Sequence, residues 1–148
     1  MRITKLLFAA VLAGTALGAH AAPQDPIEAR KAVFKEYKKV FGEQMGEVIK
    51  GKQPYDKAAF AKLASDMDAL AKKPWEHFPA GSDKGKTNSR ADIWTKPAEF
   101  KKAIDQHQAE TAKLVQVAQT GDLAQIKPQF GAVQKTCKSC HDQFKKED

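Results

Sequence analysis

Cys137, Lys138, Ser139, Cys140 and His141 carry the most specific chemistry in this chain. Thiols at i and i+3 of a helix lie on one face. Both can then reach the two vinyl groups on one edge of a porphyrin. The next residue, His141, comes round beneath the iron as an axial imidazole. C-x-x-C-H is the attachment pattern of c-type haem, so the run predicts one haem c held covalently through Cys137 and Cys140. Three rivals fare worse. A thioredoxin-like redox pair belongs at the first helix of a βαβ unit, and the chain shows no β pattern. A zinc site needs four ligands, and apart from this run only His77 and His107 remain after residue 21. A disulfide between residues three apart on a helix would close a very small loop and stabilise little.

The elements that must position this run read as four helices. The last is patterned by Leu123, Ile126, Phe130, Val133, Cys137, Cys140 and Phe144. Steps of three and four make that an a/d stripe facing a bundle core. Asp122 is placed to cap its start. Before it, Pro97 to Thr120 carries Phe100, Ile104, His107, Thr111, Leu114 and Ala118 at the same spacing, with Pro97 at a first helical position. Ile27, Phe34, Tyr37, Phe41, Met45 and Val48 mark a helix ending at Gly51. Phe60, Leu63, Met67 and Leu70 mark another from Asp56 to Lys72, stopped by Pro74.

No stretch after residue 21 alternates with period two over a strand length. The connections Gly51 to Pro54 and Gly121-Asp122 are short, which favours antiparallel neighbours. Pro74 to Lys96 is long and rich in Pro, Gly, Ser, Asp and Asn. It is the expected crossover, pinned to the bundle by Trp75, Phe78, Ile93 and Trp94. The expected fold is all-α, an antiparallel four-helix bundle with one long crossover loop.

The first segment stands apart. Arg2 and Lys5 precede an uncharged apolar run from Leu6 to Leu17, and Ala19-His20-Ala21 is a small-x-small cleavage pattern. Residues 1–21 are therefore expected to be a signal peptide that is removed, leaving 22–148 as a single domain. The run is shorter than the ~20 apolar residues of a spanning helix, and no second long apolar stretch follows. No membrane span is expected in the mature form, and the periplasm is the expected location. Removing Arg2 and Lys5 takes the formal charge from +7 to +5. A modest positive charge suits docking on an acidic partner protein. It is weak support for nucleic acid, because the basic residues are interspersed with acids.

With these features in place, the chain resembles the cytochrome c′ family, the class II c-type cytochromes. The resemblance rests on C-K-S-C-H near the C-terminus of the fourth helix, with K-G-K-Q-P-Y-D at 50–56, P-W-x-x-F at 74–78 and R-A-D-I-W at 90–94. It implies a bundle, often a homodimer, around one haem whose iron is five-coordinate and high-spin. It implies binding of nitric oxide and carbon monoxide, single-electron transfer, or both. The family's distal residue lies four positions after an arginine on the first helix, which maps to Phe34 after Arg30. Low-spin relatives place a methionine near there. Residues 22–44 hold no Met, His or Cys, so no strong protein ligand is expected above the iron.

The resemblance also places Arg30 and Lys31 at the haem, with Arg30 expected to meet the propionates. A buried cation needs a counter-charge, and Arg binds carboxylates in a bidentate fork. It maps a polar pair at the haem edge to Asn88 and Ser89, with Thr87 as the alternative register. Lys145 stands where many relatives carry an arginine, and Lys lacks the planar fork. His107 is expected to be a hydrogen-bonded core histidine rather than a sixth ligand, and Met45 and Met67 are expected to be packing.

These residues bear on several function classes. A gas-binding haem protein and a one-electron carrier both agree with covalent haem and export. A six-coordinate low-spin electron-transfer cytochrome is the alternative reading of the same site. A peroxidase would need a distal acid–base group, and none but Arg30 lies near Phe34. A zinc or scaffold protein leaves the C-x-x-C-H run unexplained. A periplasmic redox partner protein belongs with the electron-carrier reading.

Overall fold

The computed structural model describes residues 25–147, so the expected signal peptide at 1–21 lies outside the described residues. Helix α1 comprises Pro26–Tyr37, Lys38–Met45 and Gly46–Ile49, one after another without a break. Helix α2 is Lys57–Leu70, α3 is the single turn Asp92–Thr95, α4 is Pro97–Thr120 and α5 is Leu123–Phe144. The crossover between α2 and α4 holds α3 and one 3₁₀ turn, Trp75–His77. The described residues contain no strand, only an isolated antiparallel bridge between Ser89 and Lys145. The fold is the expected all-α, antiparallel four-helix bundle.

Local chemistry explains the helix ends. The Asp25, Asp56 and Asp122 carboxylates accept from the backbone N–H groups of Ile27 (2.9 Å), Ala59 (2.7 Å) and Ala124 (2.8 Å). Each satisfies a donor that the first helical turn leaves unpaired. Gly121 ends α4 at φ 75°, a left-handed conformation that glycine adopts without steric cost. Helix α2 stops at Leu70, two residues before the expected end. The Trp75 indole (2.6 Å) and the Gln108 amide (3.1 Å) both donate to the Ala71 carbonyl, turning the chain there.

Within α1, Lys38–Met45 is wound as a π-helix. The apolar spacing there accounts for it. Tyr37, Phe41 and Met45 follow at steps of four, and each step overshoots a turn of 3.6 residues. Wider winding brings Phe41 and Met45 back to the core side. Phe41 stacks on Phe130 with centroids 4.1 Å apart, and Met45 is fully buried.

Helix α4 packs against both α2 and α5, and α2 packs against α1. The core is in two parts. The larger joins Met45, Phe60, Ala64, Met67, Leu114, Ala118, Ile126 and Val133. The smaller joins Ile93, Phe100 and Phe144, with Trp75, Phe78, Trp94, Ile104 and Cys140 against it. All four expected crossover pins are in this second cluster. Phe60 is 2% exposed and belongs to the larger cluster.

Candidate functional site

A cavity of about 870 Å³ opens beside the two clusters, lined by Phe41 of the first and by Ile93, Phe100 and Phe144 of the second. One wall comes from α5, which presents Cys137, Cys140 and His141, with Thr136 beside them. Their positions on the stripe explain this, since Val133 and Phe144 on either side are buried in the clusters. Cys137 and Cys140 are only half-buried and His141 is exposed, and all three line the cavity. The wall contributed by α1 carries Phe34, Tyr37, Phe41 and Gly42, with Arg30, Lys31 and Lys38 also lining. Thr87, Asn88 and Ser89 line it from the crossover. Every cofactor-binding residue expected from the sequence therefore lines this one cavity.

The two thiols are not joined to each other. Burial pushes the Cys140 thiol up to about 11, and it raises Cys137 as well. A nucleophilic redox cysteine has the opposite shift, since the thiolate is the reactive form. Among the described residues no three His, Cys, Asp or Glu side chains converge as metal ligands, which removes support for zinc. What remains is a pair of neutral thiols and an imidazole on the wall of an apolar chamber. Those are the groups a covalently attached haem uses: two sulfurs for vinyl carbons, one nitrogen for iron, apolar surface for the macrocycle.

Arg30 departs from expectation. It is 2% exposed, so it does not reach out to water as a snorkelling side chain would. Nη1 donates to the His77 carbonyl (2.9 Å) and Ser82 Oγ (2.8 Å). Nη2 donates to the Ser82 carbonyl (2.7 Å) and Thr87 Oγ1 (2.9 Å). The guanidinium carbon lies 4.5 Å from the centroid of Phe78 and 6.0 Å from that of Trp94. The Asp25 carboxylate acts to favour the charged form of Arg30 against its burial. Neutral oxygens use every proton of both terminal nitrogens, and aromatic faces supply further attraction.

Thr87 passes the connection on. Its hydroxyl donates to Ser89 Oγ (3.0 Å), and the Ser89 N–H donates back to Thr87 Oγ1 (3.1 Å). The end of α5 then staples this strip. The Arg90 N–H donates to the Phe144 carbonyl (2.9 Å), and the Lys146 N–H donates to the Asn88 carbonyl (2.7 Å). Residues 87–90 are thus held between Arg30 on one side and the segment just after His141 on the other. Lys31 is exposed and pairs with Glu28 at 3.0 Å.

Phe34 meets Tyr37 and Trp75 edge-on, at 5.4 and 6.1 Å. His107 is 5% exposed and stacks on Tyr37 at 5.6 Å. Its Nδ1 lies 2.9 Å from Thr136 Oγ1, and that hydroxyl donates to the Val133 carbonyl at 2.7 Å. The Thr136 oxygen can therefore only accept from His107, which puts the imidazole proton on Nδ1. Nε2 is buried without a hydrogen-bond partner. Burial pushes His107 down to about 4, with the nearby His141 acting in the same direction and Asp68 against it. The sequence reading missed Ser82 and Thr136, which line no helical stripe and carry no motif. Only the fold brings them to Arg30 and His107.

Fold and site together define a c-type haem protein built on a helical bundle. The family model described as Cytochrome C′ matches residues 25–145. The chain is 37% identical to cytochrome c′ of Rubrivivax gelatinosus over 124 residues, 83% of this chain and 95% of that protein. It is 33% identical to cytochrome c′ of Alcaligenes xylosoxydans xylosoxydans over 126 residues, covering 85% and 97%. Cytochrome c prime from Shewanella frigidimarina superposes with a TM-score of 0.80 at 42% identity, covering 85% of this chain and 98% of that one. A nitric oxide complex of a mutant cytochrome c prime from Alcaligenes xylosoxidans superposes with a TM-score of 0.79 at 33% identity, covering 86% and 98%. The chain belongs to the cytochrome c′ family. Haem c is its cofactor, and members of this family are haem electron carriers or gas-binding proteins, not enzymes.

Proposed function

We propose that this protein is an exported, periplasmic haem protein with a five-coordinate, high-spin iron, binding small neutral diatomics such as nitric oxide and carbon monoxide. The observation that carries the reading is the composition of the α1 wall of the cavity. Arg30, Lys31, Phe34, Tyr37, Lys38, Phe41 and Gly42 include no Met, His or Cys. His107, the one other imidazole lining the cavity, is tied to Thr136 through its protonated nitrogen and buried at Nε2. The haem would supply a Lewis-acidic iron able to bind a neutral diatomic. His141 on α5 would hold that iron, and the Phe34 ring on α1 would have to move for a ligand to enter. Nitric oxide and carbon monoxide complexes of Alcaligenes xylosoxidans cytochrome c prime support the same ligand class.

Lys31, Asn88 and Ser89 would hold the haem edge. Arg30 serves that edge indirectly, by holding Thr87 and its neighbours in place. Single-electron transfer with a periplasmic partner protein and assembly as a homodimer complete the proposal. The test is ligand binding by purified holoprotein. Carbon monoxide should bind the ferrous form in the wild type, and Phe34→Ala should speed association by about tenfold or more, equivalent to removing roughly 1.4 kcal/mol of barrier. Equal association rates in the two proteins would remove Phe34 as the gate.

A further inference from the structure

Four rings close on one another at the wall of the chamber. Phe34, Tyr37, His107 and Trp75 all line it. They form a closed cycle, with centroids 5.4 Å apart for Phe34 and Tyr37, and 5.6 Å for Tyr37 and His107. The cycle continues at 6.5 Å from His107 to Trp75 and 6.1 Å from Trp75 back to Phe34. All four separations fall within the roughly 4.5–7 Å over which aromatic pairs attract. Three of the rings are also tied by a hydrogen bond. The Tyr37 hydroxyl donates to the Leu70 carbonyl (3.2 Å), and the Trp75 indole donates to the Ala71 carbonyl (2.6 Å). These are consecutive carbonyls at the end of α2, where the last carbonyls of a helix lack intrahelical donors. The His107 Nδ1–H is held by Thr136 Oγ1 at 2.9 Å, and Nε2 is buried without a partner, so one bond fixes the imidazole plane. Phe34 has no polar atom and is held by ring contact alone.

We propose that His107 is a positioning residue for Phe34, setting how readily that ring swings aside for an entering diatomic. The inference rests on the reading that Phe34 is the ring a ligand must displace. His107 stands opposite Phe34 in the cycle and meets both rings that flank it. The polar ends of Tyr37 and Trp75 cannot slide while the α2 carbonyls hold them. Their rings cannot tilt towards His107 while Thr136 holds the imidazole. Phe34 therefore turns against fixed neighbours, and its motion is slower than that of a ring in a loose pocket. A phenyl group in place of His107 would keep the stacking on Tyr37 and lose the tether. Thr136 immediately precedes Cys137, so the same bond ties the support of Phe34 to the attachment run on α5. None of this requires His107 to touch the ligand.

The test is a double-mutant cycle on purified ferrous holoprotein. It is read by carbon monoxide association after flash photolysis, and by the flip rate of the Phe34 ring in NMR of the carbon monoxide complex. Thr136→Val keeps the side-chain shape and removes the acceptor, whereas Thr136→Ser keeps the acceptor. Thr136→Val should speed association by about threefold or more, and the ring flip by a similar factor. Thr136→Ser should match the wild type. With Phe34→Ala already present, Thr136→Val should change association by less than about 1.5-fold, because no phenyl ring is left to position. Equal acceleration with and without the phenyl ring would mean that the tether acts on the chamber as a whole, and the proposal falls. An unchanged rate in Thr136→Val also overturns it. Should that variant fail to load haem, His107→Phe removes the same bond from the other side, with the same pattern expected. Equal association in the wild type and Phe34→Ala would instead overturn the underlying reading, and the proposal with it.

Discussion

Arg30 and His107 show how far a side chain's role depends on what the fold brings to it. Arg30 ties three crossover residues to α1, so Arg30→Ala should leave the His77 and Ser82 carbonyls without these donors. The expected loss is about 3 kcal/mol in denaturant unfolding of the holoprotein. Arg30→Lys should not restore it, because an ammonium cannot span four acceptors in one plane. A loss under about 0.5 kcal/mol would show that the clamp contributes little. His107 is a pH device by the same logic. Its folded-state value, about 4, lies below the ordinary 6.5 because burial disfavours the charged ring. Above pH 6.5 both folded and unfolded chains hold it neutral, and it adds no pH dependence. As pH falls from about 6.5 towards 4, the unfolded chain binds the proton first, and on the order of 3 kcal/mol of stability is lost. His107→Phe should flatten stability across that window. An unchanged pH profile would contradict the assignment.

At the scale of elements, the helices were legible because their periods and caps are local signals. Pro97 to Thr120 and Leu123 to Phe144 have apolar steps of three and four, capping aspartate and glycine, and the structure forms both. The attachment run was equally legible, since C-x-x-C-H is contiguous. The π segment was written less plainly, in the two successive steps of four from Tyr37 to Met45. Arg30's partners were not legible at all. Ser82 and Thr87 are 52 and 57 residues away, and hydrogen bonds to loop oxygens leave no periodic trace. The strip at 88–90 shows the same limit, because its partners are the backbone of Phe144 to Lys146. Ending the chain at Phe144 should therefore loosen the crossover while leaving the bundle intact. Amide exchange at residues 87–90 should accelerate at least tenfold, with residues 111–118 unchanged. Equal protection in both chains would show that the staple is redundant.

For the whole molecule, the central fact is a bundle whose packing divides around a chamber. Met45, Ala64, Met67, Leu114, Ala118, Ile126 and Val133 of the larger cluster are fully buried, whereas Ile93, Phe100 and Phe144 of the smaller one all line the chamber. Haem c bound in the chamber of about 870 Å³ would supply packing contacts to the apolar side chains that line it. Cys137→Ser/Cys140→Ser, which cannot attach haem, should melt well below the holoprotein, with crossover amides losing protection before those of α4. A melting temperature equal to that of the holoprotein would mean that the bundle closes the chamber by itself. The proposed ligand chemistry belongs to the same chamber, whose α1 wall presents Phe34 and no Met, His or Cys. The most direct measurement is the absorption spectrum of the ferrous protein before and after carbon monoxide. The expected result is a high-spin, five-coordinate spectrum that converts on adding the gas. A six-coordinate, low-spin spectrum before any ligand is added, unchanged by carbon monoxide, would contradict it.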